Sequence, residues 1–128
     1  MMVLMLEIFV ERGDQLSESR KLMADSPEYT SALALVSIHC AIALNDALLM
    51  KLTGKHAMAR DHITAAKRTK KQCSSKKLST NGIKHLEELL RAKTCVSYSD
   101  ERTTPETANR LAVASERFEA WVRPLINR

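Results

Sequence analysis

The stretch from Ala32 to Met50 limits the fold of this chain most, because it is apolar on nearly every side. Its only charged residue is Asp46. A helix without a polar face has to be enclosed by other elements or by a bilayer. The longest apolar run, Ala32 to Leu44, contains Ser37 and His39, and it is too short and too polar to span a membrane. We therefore predict that this segment is the central helix of a soluble domain.

The composition favours helices over strands. Among 128 residues there are only three glycines and three prolines, and aromatic residues make up 4%. Strands draw on aromatic and β-branched side chains, whereas the Ala, Leu and Met that dominate here are good helix formers. We predict an all-α, up-down bundle of five helices that forms a single domain over residues 1–128. The predicted helices are Val3–Met23, Pro27–Thr53, Met58–Cys73, Ile83–Cys95 and Pro105–Val122.

Several residues are predicted to begin or end helices. Ser26 precedes Pro27 and is a candidate N-cap for the second helix, while Gly54 is suited to end it. Thr103 and Glu106 have the spacing of a capping box at the start of the fifth helix. Pro124 is predicted to stop that helix shortly after Val122.

The sequence offers little to bind a metal or a cofactor. The three cysteines, Cys40, Cys73 and Cys95, contain no CxxC pair, and the odd number fits a reducing compartment such as the cytoplasm. No glycine-rich phosphate loop is present. We expect His39 to form a hydrogen bond in the core, and Cys40 and Cys95 to be small packing residues. The sequence therefore predicts no metal, no cofactor and no membrane association.

Positive charge is concentrated in one segment. Residues 55–77 contain eight basic residues and one acidic residue, Asp61, which gives +7, so the rest of the chain carries −2 of the net +5. Such a field attracts polyanions, although a solvated face that keeps the protein soluble has the same pattern. No aromatic residue is interleaved, so contact with phosphates is favoured over base stacking. The predicted nucleic-acid-binding residues are Lys67, Arg68, Lys70 and Lys71.

Several short phrases, in their order and spacing, resemble the HEPN domain, a small helical module of bacterial toxins, defence systems and nucleotidyltransferase partners. The resemblance covers the chain from the first helix to about Val122. No single phrase is specific, and the likeness depends on their succession. The phrases are Tyr29-Thr-Ser-Ala-Leu-Ala, Asn45-Asp-Ala-Leu-Leu, Arg60-Asp-His62, Leu89-Leu-Arg-Ala-Lys93 and Ser115-Glu-Arg-Phe-Glu-Ala-Trp121.

The resemblance implies a site near the end of the penultimate helix. Catalytic HEPN proteins carry an Arg followed, after four to six residues, by a His, and two protomers join these motifs to cut RNA without a metal. The Arg stabilises the developing phosphorane charge and the His handles the 2′-hydroxyl proton. In one toxin subgroup a Tyr follows the His by two residues and is adenylylated by a nucleotidyltransferase partner. Here Arg91 occupies the Arg position and Tyr98 the Tyr position.

The position of the family His is occupied by Val96, and the longer spacings give Ser97 or Tyr98. An aliphatic side chain cannot transfer a proton. We therefore predict a non-catalytic HEPN-like homodimer that binds RNA or nucleotide phosphate and acts with a partner such as a minimal nucleotidyltransferase. One alternative is a metal-independent endoribonuclease toxin with an altered site that uses Arg91, Lys93 and Tyr98. A second alternative is a helical protein-interaction adaptor.

Overall fold

The computed structural model describes residues 2–55 and 61–127 and consists of helices without a strand in those ranges. A short 3-10 turn, Pro27–Tyr29, precedes the second helix. The prediction of an all-α bundle of five helices is confirmed. The helices are α1 (Met2–Met23), α2 (Thr30–Thr53), α3 (His62–Ser75), α4 (Ile83–Tyr98) and α5 (Pro105–Ile126).

Helix α2 is the centre of the bundle, as its apolar sequence predicts. Fourteen of its residues are buried, and all four other helices pack against it. The segment Pro27–Thr53 is long and apolar enough to cross a membrane, but 78% of its most apolar window is buried inside the bundle, which is consistent with the core helix of a soluble protein. Helix α1 approaches α2 closely at Gly13, where an added Cβ would lie 2.5 Å from Cδ2 of Leu44.

The directions of the helices depart from strict up-down alternation. Near the middle of α2 and of α5, Arg20 of α1 contacts both Cys40 and Ser115. At the C-terminal ends of the same two helices, Lys51 of α2 donates a hydrogen bond to the backbone carbonyl of Ile126. Helices α2 and α5 therefore run parallel, whereas regular alternation along five helices would make them antiparallel.

The helix termini agree with the sequence only in part. Gly54 ends α2 in the left-handed region, with φ at 70°, and its N–H donates to the carbonyl of Met50 at 2.8 Å. The side chain of Ser26 forms no capping hydrogen bond. Helix α5 is capped by Thr104 and not by Thr103: the Oγ1 of Thr104 accepts a hydrogen bond from the N–H of Thr107 at 3.1 Å.

The prediction that Pro124 ends the last helix was wrong. Helix α5 continues through Pro124 to Ile126. Pro124 is exposed, so the carbonyl that loses its hydrogen bond there belongs to Ala120, which is exposed as well and open to water. Leu125 and Ile126 are both buried and extend the inward stripe of the helix. Burial of two large aliphatic side chains, about 1.5–3 kcal/mol each, offsets the cost of about 3 kcal/mol for an internal proline.

Helices α3 and α4 also have boundaries that the sequence did not give. Asp61 caps α3, because its carboxylate accepts hydrogen bonds from the N–H of Ile63 at 3.0 Å and from the hydroxyl of Thr64 at 2.8 Å. The predicted start at Met58 lies outside the described residues. Helix α4 runs one turn beyond the predicted end and includes Tyr98.

A buried ion pair joins α1 to α5. The guanidinium of Arg20 lies 2.7 Å from the carboxylate of Glu119, and the two side chains are only 3% and 13% exposed. Ser17 donates to the same carboxylate at 2.9 Å, and Arg20 also donates to the hydroxyl of Ser115 at 2.8 Å. Arg123 completes the arrangement at 2.6 Å from Glu119. These contacts link α1 to α5 and fix how the two helices pair, while the Nε of Arg20 is buried without a hydrogen-bond partner among the described residues.

Candidate functional site

The orientation of α3 decides which way its positive charges point. Its inner face is formed by small side chains, among them Ala65, Ala66 and Cys73, which are buried against the bundle. The hydroxyl of buried Thr69 donates a hydrogen bond to the side-chain oxygen of Asn45 on α2 at 2.7 Å. This bond and the small residues fix the rotation of the helix. Its basic residues consequently face solvent.

The four cations predicted to bind nucleic acid all lie on that outer face. Lys67, Arg68, Lys70 and Lys71 are each exposed. Helix α3 contains no acidic residue between His62 and Ser75. We call this surface the α3 basic face. It is convex, and it combines positive charge with the absence of any aromatic side chain, which suits contacts with a phosphate backbone.

A shallow groove, the α3–α4 groove, runs along one edge of the α3 basic face. Ile63, Ala66 and Leu90 form its apolar part, and its charged residues are Lys67, Glu87 and Arg91. Its volume is about 80 Å³, far below the roughly 300 Å³ at which small-molecule sites begin. The groove can therefore accept one phosphate group or one side chain, and cannot enclose a nucleotide.

The groove brings together two residues that were predicted on separate grounds. Lys67 was predicted from the charge pattern and Arg91 from the family resemblance, and both line the same groove. Arg91 forms no ion pair within residues 2–55 and 61–127, and Glu88, three positions before it on α4, pairs with Arg110 at 3.0 Å. Arg91 therefore offers its charge to solvent or to a ligand.

Tyr98 lies apart from the α3–α4 groove. It is the last residue of α4, it is 78% exposed, and it does not line the groove. Seven residues at about 1.5 Å per residue separate it from Arg91 by roughly 10 Å along the helix axis. Val96, at the family His position, is partly buried against the core, so packing accounts for an aliphatic side chain there.

Two histidines are within electrostatic range of Lys93 on α4. The pKa of His39 on α2 is lowered, first by burial and then by the positive charge of Lys93 on α4. The pKa of His62 on α3 is lowered by burial, by Lys93 and by His39. Both imidazoles are therefore neutral at neutral pH and able to accept a proton. The prediction of a core histidine was wrong, because His39 lies at the surface.

This cluster could not be found from the sequence. His39, His62 and Lys93 belong to three different helices, and no short motif links them. The only sequence signal was the separate presence of Arg60-Asp-His62 and Leu89-Leu-Arg-Ala-Lys93 among the phrases typical of the family. Packing of α3 and α4 against α2 places the three side chains within electrostatic range of one another.

The cysteines and the acidic residues add no metal centre to the described part of the chain. No group of three or more His, Cys, Asp or Glu side chains among those residues has the arrangement of a metal site. Cys40 and Cys73 are buried, and burial raises the pKa of the Cys40 thiol to about 11, so it is an inert packing residue. Cys95 is exposed, in contrast to the packing role expected for it.

Comparison with known proteins does not extend this description. No protein-family model matches the chain, and no curated protein and no solved structure is significantly similar to it.

Proposed function

We propose that this protein binds RNA or nucleotide phosphate through the α3 basic face, as a non-catalytic HEPN-like module. The observation that carries the proposal is the grouping of four exposed cations on one helix without an acidic residue, bordered by Arg91 across the α3–α4 groove. Phosphate contacts from such a face give affinity without sequence selectivity. The HEPN part of the proposal rests on the sequence resemblance, with which five helices and an Arg91 on the penultimate helix are compatible.

The proposal includes a cellular setting. HEPN-like modules pair, so a homodimer would bring two α3–α4 grooves into one assembly. The partner we propose is a minimal nucleotidyltransferase, for which the exposed hydroxyl of Tyr98 is an accessible acceptor. Cytoplasmic location follows from the nucleic-acid ligand and from three cysteines that form no disulfide.

Replacing Lys67, Arg68, Lys70 and Lys71 by Gln is expected to weaken RNA binding and to flatten its salt dependence. Each phosphate contact to a single strand contributes about 0.7 to the slope of log affinity against log salt, so loss of four contacts would reduce the slope by at most about 3. Fluorescence anisotropy with a labelled single-stranded RNA at several salt concentrations measures both quantities.

The matched control for this variant replaces exposed cations elsewhere. The double variant Lys21→Gln and Arg102→Gln removes two exposed positive charges outside α3, and Lys70→Gln with Lys71→Gln removes two from the α3 basic face. Only the replacement of Lys70 and Lys71 should change the slope of log affinity against log salt. If both double variants gave the same slope, the lysines of α3 would serve solubility and not RNA binding.

One observation favours a second candidate function, a metal-independent endoribonuclease. The chain lacks a His at position 96, but His39 and His62 are within electrostatic range of Lys93, which lowers the pKa of both imidazoles after burial. An imidazole base with a nearby cation is a chemical arrangement suited to attack by a 2′-hydroxyl on its own phosphodiester. This candidate places the chemistry on α2, α3 and α4 instead of on the family motif.

We predict little or no ribonuclease activity from the purified chain. General acid–base catalysis contributes typically 10²–10⁴-fold in rate, and Val96 removes the usual source of it. The assay incubates single-stranded and structured RNA with the chain and a chelator, and it includes Arg91→Ala, Tyr98→Phe, His39→Ala and His62→Ala variants. Cleavage by the natural chain that disappears in Arg91→Ala or in either histidine variant would establish the endoribonuclease and end the non-catalytic proposal.

A further inference from the structure

A second groove, the α4–α5 groove, lies on the other side of α4. Its volume is about 350 Å³, which falls within the roughly 300–1,000 Å³ of small-molecule sites. The α3–α4 groove, at about 80 Å³, does not reach that range. The α4–α5 groove is therefore the larger candidate for a compact ligand. Its principal lining residues are His85, Glu88, Asn109, Arg110, Val113 and Arg117.

The charges around the α4–α5 groove are unequal. Glu88 pairs with Arg110 at 3.0 Å, and this pair holds the Arg110 side chain at the groove while cancelling its charge. Arg117 is exposed and forms no ion pair with any residue in the described ranges. Lys84 adds a further positive charge nearby. The pKa of His85 is lowered, first by burial and then by Lys84 and Arg117, against the opposing charge of Glu88.

An apolar surface adjoins the cation. Val113 lies between Arg110 and Arg117 on the same side of α5, three and four residues from them, so the three side chains form one row. Val113 is 43% exposed and presents its aliphatic side chain to the groove. A guanidinium beside an exposed aliphatic side chain can recognise a ligand with an anionic group at one end and an apolar ring at the other.

We propose that the α4–α5 groove binds a small organic anion in which a phosphate or a carboxylate is joined to an apolar ring. Arg117 pairs with the anionic group, Asn109 and His85 are available to hydrogen-bond to it, and Val113 contacts the ring. This site is separate from the α3 basic face. A ligand bound there would contact both α4 and α5 and none of the lysines of α3.

The test uses phenyl phosphate and benzoate as the two anionic probes, with phenol and inorganic phosphate as the matched fragments. Amide chemical shifts of the full chain, followed by NMR during titration, should change saturably on α4 and α5 with phenyl phosphate or benzoate. The probe that binds more tightly identifies whether the groove takes a phosphate or a carboxylate. Phenol and inorganic phosphate should each bind more weakly than the probe that combines them.

Arg117→Gln should weaken binding of the tighter probe by about ten- to a hundredfold, because a hydrogen bond to a charged group is lost. Arg102→Gln, an exposed cation outside the groove, should leave binding unchanged. The proposal is overturned if no saturable shift appears, if inorganic phosphate binds as tightly as phenyl phosphate while benzoate does not bind, or if both arginine variants behave alike. The quadruple Gln variant of α3 should bind the probe normally, so failure here and failure of the RNA proposal are distinguishable.

Discussion

Glu119→Gln is expected to lower the free energy of unfolding by about 3–5 kcal/mol, because it leaves the buried guanidinium of Arg20 without a charged partner. The Arg20 side chain is 3% exposed, so water cannot take the place of the lost carboxylate. Arg123 would lose its partner as well, although its second contact, with Asp14 at 2.8 Å, is at the surface and remains. Urea unfolding followed by circular dichroism measures the change.

The same carboxylate makes stability depend on pH. Burial alone would raise the pKa of Glu119, but hydrogen bonds from Arg123, Arg20 and Ser17 outweigh it, and the pKa is lowered from its ordinary value of 4.5. A carboxyl group with a lowered pKa stabilises the folded state above its unfolded pKa, and this contribution is lost as the pH falls through 4.5 towards the folded value. Unfolding experiments at neutral pH and below pH 4.5 should show this loss in the natural chain and a smaller loss in Glu119→Gln.

An exposed ion pair on α1, the helix that carries Arg20, supplies the control. Glu18 and Lys21 of α1 lie 3.3 Å apart and are 71% and 60% exposed. Glu18→Gln should change stability by no more than about 0.5 kcal/mol, since surface pairs contribute little. The double variant Arg20→Met with Glu119→Leu should recover part of the stability lost in Glu119→Gln, because it leaves no buried charge unpaired. Equal stability of Glu119→Gln and Glu18→Gln would contradict the buried network.

Ala43→Arg is expected to unfold the domain. Ala43 lies in the middle of α2 and is 3% exposed. An arginine there would place an unpaired charge in the core, at a cost of several kcal/mol. Its length would also displace neighbouring side chains, which adds about 1–3 kcal/mol. Together these costs approach the total stability of a small domain, which is about 5–15 kcal/mol. Far-ultraviolet circular dichroism and thermal melting show whether the fold persists.

Ser31→Arg provides the comparison within the same helix. Ser31 is at the exposed start of α2, so its arginine would reach solvent, and the melting temperature should stay within a few degrees of the natural value. If Ala43→Arg also kept the natural melting temperature, α2 would not be the central helix of the protein in solution.

The sequence predicted the helices well because their patterning is strong. The apolar surface of α2 requires enclosure, and the inward stripe of Leu111, Ala114, Phe118 and Val122 on α5 is buried as its spacing indicates. Two predictions that were wrong, the capping residue of α5 and the end of that helix, depend on competition between neighbouring residues. Thr103 and Thr104 both have a hydroxyl able to cap, and only the backbone conformation decides between them. Pro124 is tolerated because Leu125 and Ile126 have a core to enter.

The candidate site shows the same division. The positive charge of residues 55–77 is a matter of composition, and the exposure of the cations on α3 is expected because Lys and Arg side chains are rarely buried. The position of that charge next to Arg91 does not follow from composition, because α3 and α4 meet only when Thr69 and the small residues of α3 pack against α2. Arg91 was singled out only by the family resemblance, whereas the residues that surround it are set by helix packing.

By itself the sequence determined that this protein is a helical bundle with an enclosed second helix and one strongly basic segment. These properties follow from composition and from periodicity along single helices, which act over a few residues. Only the tertiary structure decided that α5 runs parallel to α2, that His39 and His62 approach Lys93, and that Arg117 borders a groove with Val113. Each of these depends on contacts between residues far apart in the chain, and such contacts are fixed by how whole helix faces pack together.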